Sequence, residues 1–521
     1  ALALAACAAP VSTPPAPAPA SASAAPAPAS ASAGATVRAA AETITPEDLR
    51  ARVEFIASDQ MRGRDTPSPE LEIVAGYLVN QYKLWGFQPA GEEGTFYQWY
   101  PFPLRRLSAG GARLQLAAGG RTQSFALGRD FYAHGGTRAP LSGGLVFVGS
   151  APTGSLGEGT LRGRVAVAAL PGRFNRAFRT ERSRQRTAAM LAGASGIIHV
   201  LDASWTADTI AKYAASAGTP ARTLGGEPGF PQFYLTRDAG ARLFSAAGLD
   251  MEALWARMGQ AGFQPVALSG VDLSAGLPLE ELDRAVAPNV VAMIPGSDPV
   301  LRNEYVVISA HMDHVGVGAP DATGDSIYNG ADDDASGTSG LLEVAQAFAA
   351  LGQRPKRTVV FLHVSGEEKG LLGSEWYADH PTLPLERIVA NINVDMIGRN
   401  ANDSIVVIGK DYTSLGALTD RLAAEHPELG LTLADDVWPE ERFFFRSDHF
   451  NFARKEVPAI FFFNGTHEDY HRPSDEVEKL NADKAARVSR MVFYLAHAVA
   501  DDPRRPTWVP AGLSEVRAMS R

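Results

Sequence analysis

Four short runs of β-branched and aromatic residues, 305–310, 358–364, 388–394 and 459–463, are too evenly apolar for strands with one wet face. They read as strands buried on both sides, as in parallel sheets covered by helices. Helical periodicity follows at 338–350, 371–379, 415–426 and 482–501. Strand–helix alternation of this kind predicts an α/β fold with a largely parallel sheet. In such sheets the ligand site lies just past the C-terminal ends of the strands. The polar residues at those ends are therefore where chemistry is to be sought.

The first strand runs into His311-Met312-Asp313, where residues two apart project to one side. Next comes "NGADDDASG", with Asp332, Asp333 and Asp334 set among the smallest side chains. Two unit charges about 4 Å apart repel by roughly 4 kcal/mol at an effective dielectric near 20. A solvated turn absorbs that cost, whereas a packed site does so only with cations present. Asp332, Asp334, Ser336, Gly337 and Glu343 also fall at EF-hand spacing. That motif needs an entering helix, but the preceding "GAPDATGDSIYNG" is full of Gly, Pro and turn residues, and there is no second hand.

After the second strand, "FLHVSGEEKGLLGS" sets Glu367 beside Glu368. The third strand, in "NINVDMIGR", ends at Asp395, and "HEDYHRPSDEVEKL" brings His471 in after the fourth. Each signal is weak alone. Together, His311, Asp333, Glu367, Glu368, Asp395 and His471 follow successive strands of one sheet. A thiolate-free set of histidines and carboxylates suits zinc or a similar divalent ion, and so many acids suit two ions better than one.

The rest of the chain frames this unit. Thr45-Pro46-Glu47-Asp48 reads as a capped helix start, and a second helix near 70–85 stops at Gly86. Between 107 and 279, Gly-rich turns separate short strands with few clustered His, Asp or Glu, which marks an inserted accessory domain. A net charge of −10 gives no basic surface, so no nucleic-acid partner is expected. No apolar run reaches the ~20 residues of a membrane-spanning helix. The single cysteine, Cys7, leaves no disulfide framework or thiolate zinc site. Residues 1–7 read as the end of a signal segment, with Leu4-Ala5-Ala6-Cys7 resembling a bacterial lipobox; the alternative is a secretory segment with an incidental cysteine. Residues 8–44, dominated by Pro, Ala and Ser, are expected to form a disordered tether. Both readings predict an exported bacterial protein, either lipid-anchored through Cys7 in the cell envelope (periplasm or outer membrane) or secreted.

The ordered motifs HMDH, GADDDASG, SGEEKGLLGS, NVDMIG, RSDHFNF and DYHRPSDEVEKL resemble those of the co-catalytic di-zinc aminopeptidases. Relatives of that family include glutamate carboxypeptidase II, glutaminyl cyclases and the inactive transferrin receptor. The resemblance spans about 45–103 and 286–501. It implies a zinc-peptidase-type αβα sandwich with a mostly parallel central sheet, built from residues 45–106 and 280–505. The insert at 107–279 resembles the β-rich protease-associated domain. Two Zn2+ ions are implied, other divalent metals being possible. His311, Asp333 and Asp395 would hold one ion, and Asp333, Glu368 and His471 the other, with Asp333 bridging. Glu367 becomes the general base, and Asp313 orients His311. Asp332 and Asp334 are either supporting residues or solvated.

The implied activity is removal of N-terminal residues from peptide substrates. One alternative is a carboxypeptidase of the glutamate carboxypeptidase type, for which no arginine cluster accompanies the metal motifs. The other is a non-catalytic receptor-like scaffold, against which the filled ligand and base positions argue. Some relatives carry a Tyr shortly before Ser-Asp-His; Phe443, Phe444 and Phe445 stand there instead, leaving Tyr470 or Arg446 as substitutes. These phenylalanines, with Trp438 and Phe450, form either an apolar specificity pocket or core.

Overall fold

The computed structural model describes residues 36–108, 110–134, 136–137, 141–150, 156–157, 159–173, 176–224, 230–260 and 262–520. Cys7, the lipobox and most of the expected tether lie outside the described residues.

Nine strands form the central sheet. In chain order they are β1 (Gln88–Pro89), β2 (Tyr97–Pro101), β3 (Val286–Ile294), β4 (Tyr305–His311), β5 (Thr358–Val364), β6 (Ile388–Val394), β7 (Ser404–Ile408), β8 (Thr432–Ala434) and β9 (Ala459–Phe463). They lie in the order β1-β3-β5-β4-β6-β9-β7-β8, with β2 sharing the β1 edge of β3. The four strands legible as apolar runs, β5, β4, β6 and β9, are mutually parallel. The flanks are not: β3 is antiparallel to β5, and β7 to β9. Connections explain this mixture. A parallel return needs a long crossover, whereas only a single 3-10 turn separates β3 from β4, and no helix separates β6 from β7.

Helices cover both faces. On one side lie α1 (Val37–Ala41), α2 (Pro46–Ile56), α3 (Pro69–Leu84), α4 (Gly337–Ala350), α6 (Ser414–Glu425) and α8 (Ala482–Asp501). Leu49, Val74, Leu341, Leu415 and Val488 from these helices meet Val306 and Ile308 of β4 in one core. On the other side, Tyr377 of α5 (Leu372–Asp379) and Phe452 of α7 (His449–Ala453) pack on Val307, Val360 and Leu362. Alternate residues of β4 thus feed opposite cores, and each fully buried Val or Leu contributes about 1.5–3 kcal/mol. The start of α2 is as expected: Thr45 Oγ1 accepts the Asp48 amide at 3.1 Å, with Pro46 at the first turn.

Two boundaries move. Residues 36–44, expected in the tether, enter the fold: Ala40, Ala41 and Ile44 are fully buried in the core shared by α2 and α8. Alanine is small enough to pack closely there, so tether-like composition conceals a core segment. At the other end the folded unit passes residue 505. Helix α9 (Pro510–Ser520) buries Val516 against the cluster that holds Phe443 and Phe461. No described helix is long and apolar enough to cross a membrane.

Residues between β2 and β3 build a separate eight-stranded sheet. Phe131, Phe147, Val167 and Phe233 fill one of its faces, and the stacked Tyr132 and Tyr234 lie on another. Four helices, 176–191, 207–217, 237–246 and 251–257, accompany it. The chain leaves the central unit through Leu104–Leu107 and returns through Leu279–Glu281, and these two strands pair antiparallel, Leu107 opposite Leu279. From the same region Leu224 packs on the Tyr100, Phe102 and Ala287 cluster, which Leu372 and Trp376 of α5 also meet.

Candidate metal centre

The C-terminal ends of β4, β5, β6 and β9 converge on one cluster. His311 closes β4 and is buried. Its Nδ1 lies 3.1 Å from the Asp313 carbonyl oxygen and 3.5 Å from the Asp313 carboxylate. A carbonyl only accepts, so Nδ1 carries the hydrogen and the Nε2 lone pair faces outward. That lone pair points at carboxylates: Asp333 Oδ1 at 3.2 Å and Asp395 Oδ1 at 3.6 Å. Lone pairs facing carboxylates repel unless a proton or a cation lies between them.

The acidic triplet is buried throughout, and its three side chains have separate tasks. Asp332 accepts from the Gly398 amide at 2.7 Å and from Asn464 Nδ2 at 3.1 Å. Asp334 accepts from the amides of Gly337, Met396 and His311 at 2.9, 3.0 and 3.2 Å. Asp334 also lies within reach of His311 and Asp395, but three amides already occupy its oxygens, which makes it a brace. Only Asp333 turns both oxygens inward. Neither neighbour is solvated. The EF-hand spacing is incidental, since Glu343 pairs with Arg52 at 2.5 Å. Before the triplet, Gly330 has φ 57°, and a Cβ there would strike the Asp333 carbonyl and the His314 ring.

The adjacent glutamates diverge. Glu368 reaches His471 Nε2 at 3.0 Å and His314 Nδ1 at 2.7 Å. Glu367 instead lines a small cavity with His311, Asp333 and Asp395. Their turn is held by Asp313, whose carboxylate accepts the Gly366 amide at 2.8 Å, the Glu367 amide at 3.4 Å and the Thr66 hydroxyl at 2.7 Å. Asp313 therefore orients the imidazole and the glutamate turn together. Asp395 is fixed by the Ser447 hydroxyl at 2.7 Å. His471 lies 3.1 Å from Asp333 Oδ2, so the two oxygens of Asp333 serve His311 on one side and His471 on the other.

All seven residues expected at the site are thus brought together. His314 was not assigned from the sequence, although it is the second His of HMDH; three residues past a strand end, no period-2 cue places it. Ser447 stands in the RSDHFNF motif without a chemical signal of its own. Arg64 and Asp475 act through backbone atoms; Asp475 stands in the DYHRPSDEVEKL motif, but its residue type does not point to that task.

Several converging atoms make no hydrogen bond among the described residues: Asp333 Oδ2, Glu368 Oε1, His471 Nε2 and both ring nitrogens of His314. Buried polar atoms are nearly always satisfied, so orphans facing one another mark a place suited to a cation. The groups His314, Asp333 and Glu368, and His311, Asp334 and Asp395, could each hold an ion. Histidine nitrogens and carboxylate oxygens without thiolate are the donor set of zinc and similar divalent metals. The residues fit.

Electrostatics point the same way. Burial pushes the His311 imidazole down, but Asp395, Glu367 and Asp333 outweigh it and hold it well above its usual value. Burial likewise opposes His471, yet Asp333 and Glu368 bring it up to about 10. Without metals, these rings would hold protons where ions belong. Burial raises Glu367 well above the usual carboxylate range; Glu368, Asp448 and Asp395 add to this, while His311 opposes it.

The cavity beside Glu367 holds about 30 Å³, room for a water molecule. Met396, Phe443, Phe461, Phe463, Thr466, Tyr470 and Arg446 complete its lining. The aromatics divide between the two alternatives, pocket and core. Of the residues singled out, Phe443 faces the cavity, joined by Phe461 and Phe463 from β9. Phe444 turns away onto His449 and Tyr412, Trp438 packs edge-on behind Phe443, and Phe450 packs on Phe445.

Residues 289–496 match the family model of peptidase family M28. The leupeptin-inactivating enzyme 1 of Streptomyces exfoliatus is 29% identical over 196 residues, covering 37% of this chain and 39% of that protein. Aminopeptidase YwaD of Bacillus subtilis (strain 168) is 25% identical over 245 residues, 44% of this chain and 49% of its own length. The chain thus spans about half the length, or less, of these curated relatives. Among solved structures, an aminopeptidase from Aneurinibacillus sp. strain AM-1 aligns over 90% of this chain and 97% of its own, at 20% identity and a TM-score of 0.47. Residues 289–496, the stretch that matches peptidase family M28, carry every side chain of the histidine–carboxylate cluster.

Proposed function

We propose that the chain is a zinc-dependent aminopeptidase that uses two metal ions to hydrolyse the N-terminal bond of peptides. The observation that carries the reading is the set of unsatisfied, mutually facing His and carboxylate atoms around Asp333. Asp333, Glu368 and Asp395 turn carboxylate oxygens towards histidine nitrogens, an arrangement that two divalent ions would hold together. His311, Asp333 and Asp395 would hold one ion; Asp333, Glu368 and His471 the other, with His314 against Glu368. Bound divalent ions supply Lewis acidity, acidifying a water and polarising a carbonyl.

Glu367 borders the cavity without a competing cation partner, and takes the proton of the attacking water and delivers it to the leaving amine. Asp313 holds both His311 and the Glu367 turn, fixing base and ligand relative to one another. Tyr470 also lines the cavity; burial and the nearby Asp333, Glu368, Glu367 and Asp395 carboxylates raise its phenol, which stays a hydrogen-bond donor to the developing oxyanion. Phe443, Phe461 and Phe463 offer apolar surface to the first side chain of the substrate. A carboxypeptidase needs several cations to grip a substrate carboxylate, whereas Arg446 is the single arginine of this lining.

The test is hydrolysis of amino-acid anilides and of N-acetylated controls, before and after chelation, with metal content by elemental analysis. Glu367→Gln is expected to keep both metals and lose about 10²–10⁴-fold in turnover, the usual contribution of a positioned general base. Loss of zinc in that variant, or cleavage of the blocked peptides, overturns the assignment. Export completes the reading, supported by the Pro/Ala/Ser-rich start and the lipobox-like Leu4-Ala5-Ala6-Cys7. Labelled palmitate that still enters a Cys7→Ser variant would sink the anchor.

A further inference from the structure

Arg64 is a fully buried guanidinium that makes no ion pair with a described carboxylate. All its bonds go to backbone carbonyls of the two segments that carry the metal-facing residues. Nε donates to Met312 O at 3.0 Å, between His311 and Asp313. Nη1 donates to Asn329 O, and Nη2 to Gly330 O at 2.8 Å and Asp333 O at 3.1 Å. The same turn is held from its other side by Asp475. One carboxylate oxygen of Asp475 accepts the amides of Asp332 and Asp333, each at 3.1 Å, and its carbonyl accepts the Ala331 amide at 3.0 Å. Carbonyls of the turn face a cation, and its amides face an anion.

We propose that Arg64 is a positioning residue for the metal centre: with Asp475 opposite, it sets the distance between the His311–His314 segment and the bridging Asp333. Charge alone does not call for an arginine: the Asp313, Asp333, Asp334 and Asp475 carboxylates favour any cation there, while a buried cation beside a site for divalent ions disfavours their binding. Geometry does. Only a planar fork with donors in fixed directions spans carbonyls on two separate segments, and a lysine in its place is a single point of charge. A bridging carboxylate displaced by a few tenths of an ångström serves one ion at the expense of the other. The inference rests on the reading that these residues hold divalent ions.

The experiment compares zinc affinity, by competition with a chromophoric chelator, with the melting temperature of the metal-free protein. Arg64→Lys keeps the charge and loses the fork. It is expected to melt metal-free within a few degrees of the wild type and to bind zinc about 10–100-fold more weakly, the usual effect of removing an outer-shell support. Asp475→Asn loosens the same turn from the amide side and is expected to weaken zinc binding likewise; it serves as the reporter where Arg64→Lys does not fold. Millimolar guanidinium is expected to restore zinc uptake to Arg64→Ala, a rescue that a purely structural role does not give. Wild-type zinc affinity in the folded Arg64→Lys or Asp475→Asn variant overturns this inference alone. Failure of the wild type to take up zinc overturns the two-metal reading as well.

Discussion

Asp333 is the residue on which the centre turns, because its two oxygens face different imidazoles while its neighbours are committed to backbone amides. A run of three aspartates is therefore one candidate ligand and two braces. His314 belongs to the same account. It is buried and lies 2.7 Å from Glu368, but no ring nitrogen has a hydrogen-bond partner among the described residues. His314→Gln is expected to weaken one of two zinc-binding events about 10–100-fold and leave the other intact. Calorimetric titration of the metal-free protein separates the events, and equal weakening of both would place His314 outside this division. At this scale the proposed ligands were legible because they lie in the connections that follow successive strands, where residue type and position agree. Arg64 was not, since its partners lie 248 to 269 positions along the chain and are all main-chain atoms.

Among the elements, the strands buried on both faces were visible from composition, and the helices from periodicity. The antiparallel flanks were not, because strand direction depends on connections rather than on the strand's own residues. The same limit applies to the wall formed by 438–446, where three consecutive phenylalanines look alike in sequence. In the fold, Phe443 faces the cavity, tilted on Phe463 at 4.9 Å between ring centres. Phe444 packs edge-on to His449 at 4.8 Å. Their substitutions should differ in kind. Phe443→Leu is expected to open the cavity and raise kcat/KM for bulky aromatic N-terminal residues relative to leucine, at a stability cost near 1 kcal/mol. Phe444→Leu should lower the melting temperature with no change in that ratio. A substrate panel on both variants decides the matter.

Across the whole molecule, buried imidazoles occur in different units, and two of them show the consequence. His363, in β5, meets the Tyr82 hydroxyl at 2.7 Å, and burial depresses it to about 3. His199, in the inserted sheet, sits 2.9 Å from Gln185 Oε1; burial also takes it to about 3, with Gln232 opposing. Both folded values lie below the ordinary 6.5. Their contribution to stability is therefore fully present above pH 6.5 and is lost as pH falls from 6.5 towards 3. Acid unfolding of the metal-free protein should begin in that window and reach both units. His199→Gln is expected to flatten the acid limb for tryptophan fluorescence from Trp205 while leaving loss of zinc-binding competence unchanged. An acid limb identical to the wild type by both measures would refute the account.

The paired strands Leu104–Leu107 and Leu279–Glu281 carry a further consequence. Because departure and return are hydrogen-bonded neighbours, about 5 Å apart as adjacent strands are, the excursion between them is a long detour that ends where it began. The entropy of closing so long a loop grows only with the logarithm of its length. An excision that joins Leu107 to Leu279 by a two-residue turn leaves the central sheet's wiring unaltered. The portion that carries the histidine–carboxylate cluster is in this sense already continuous in space, whatever its order along the chain.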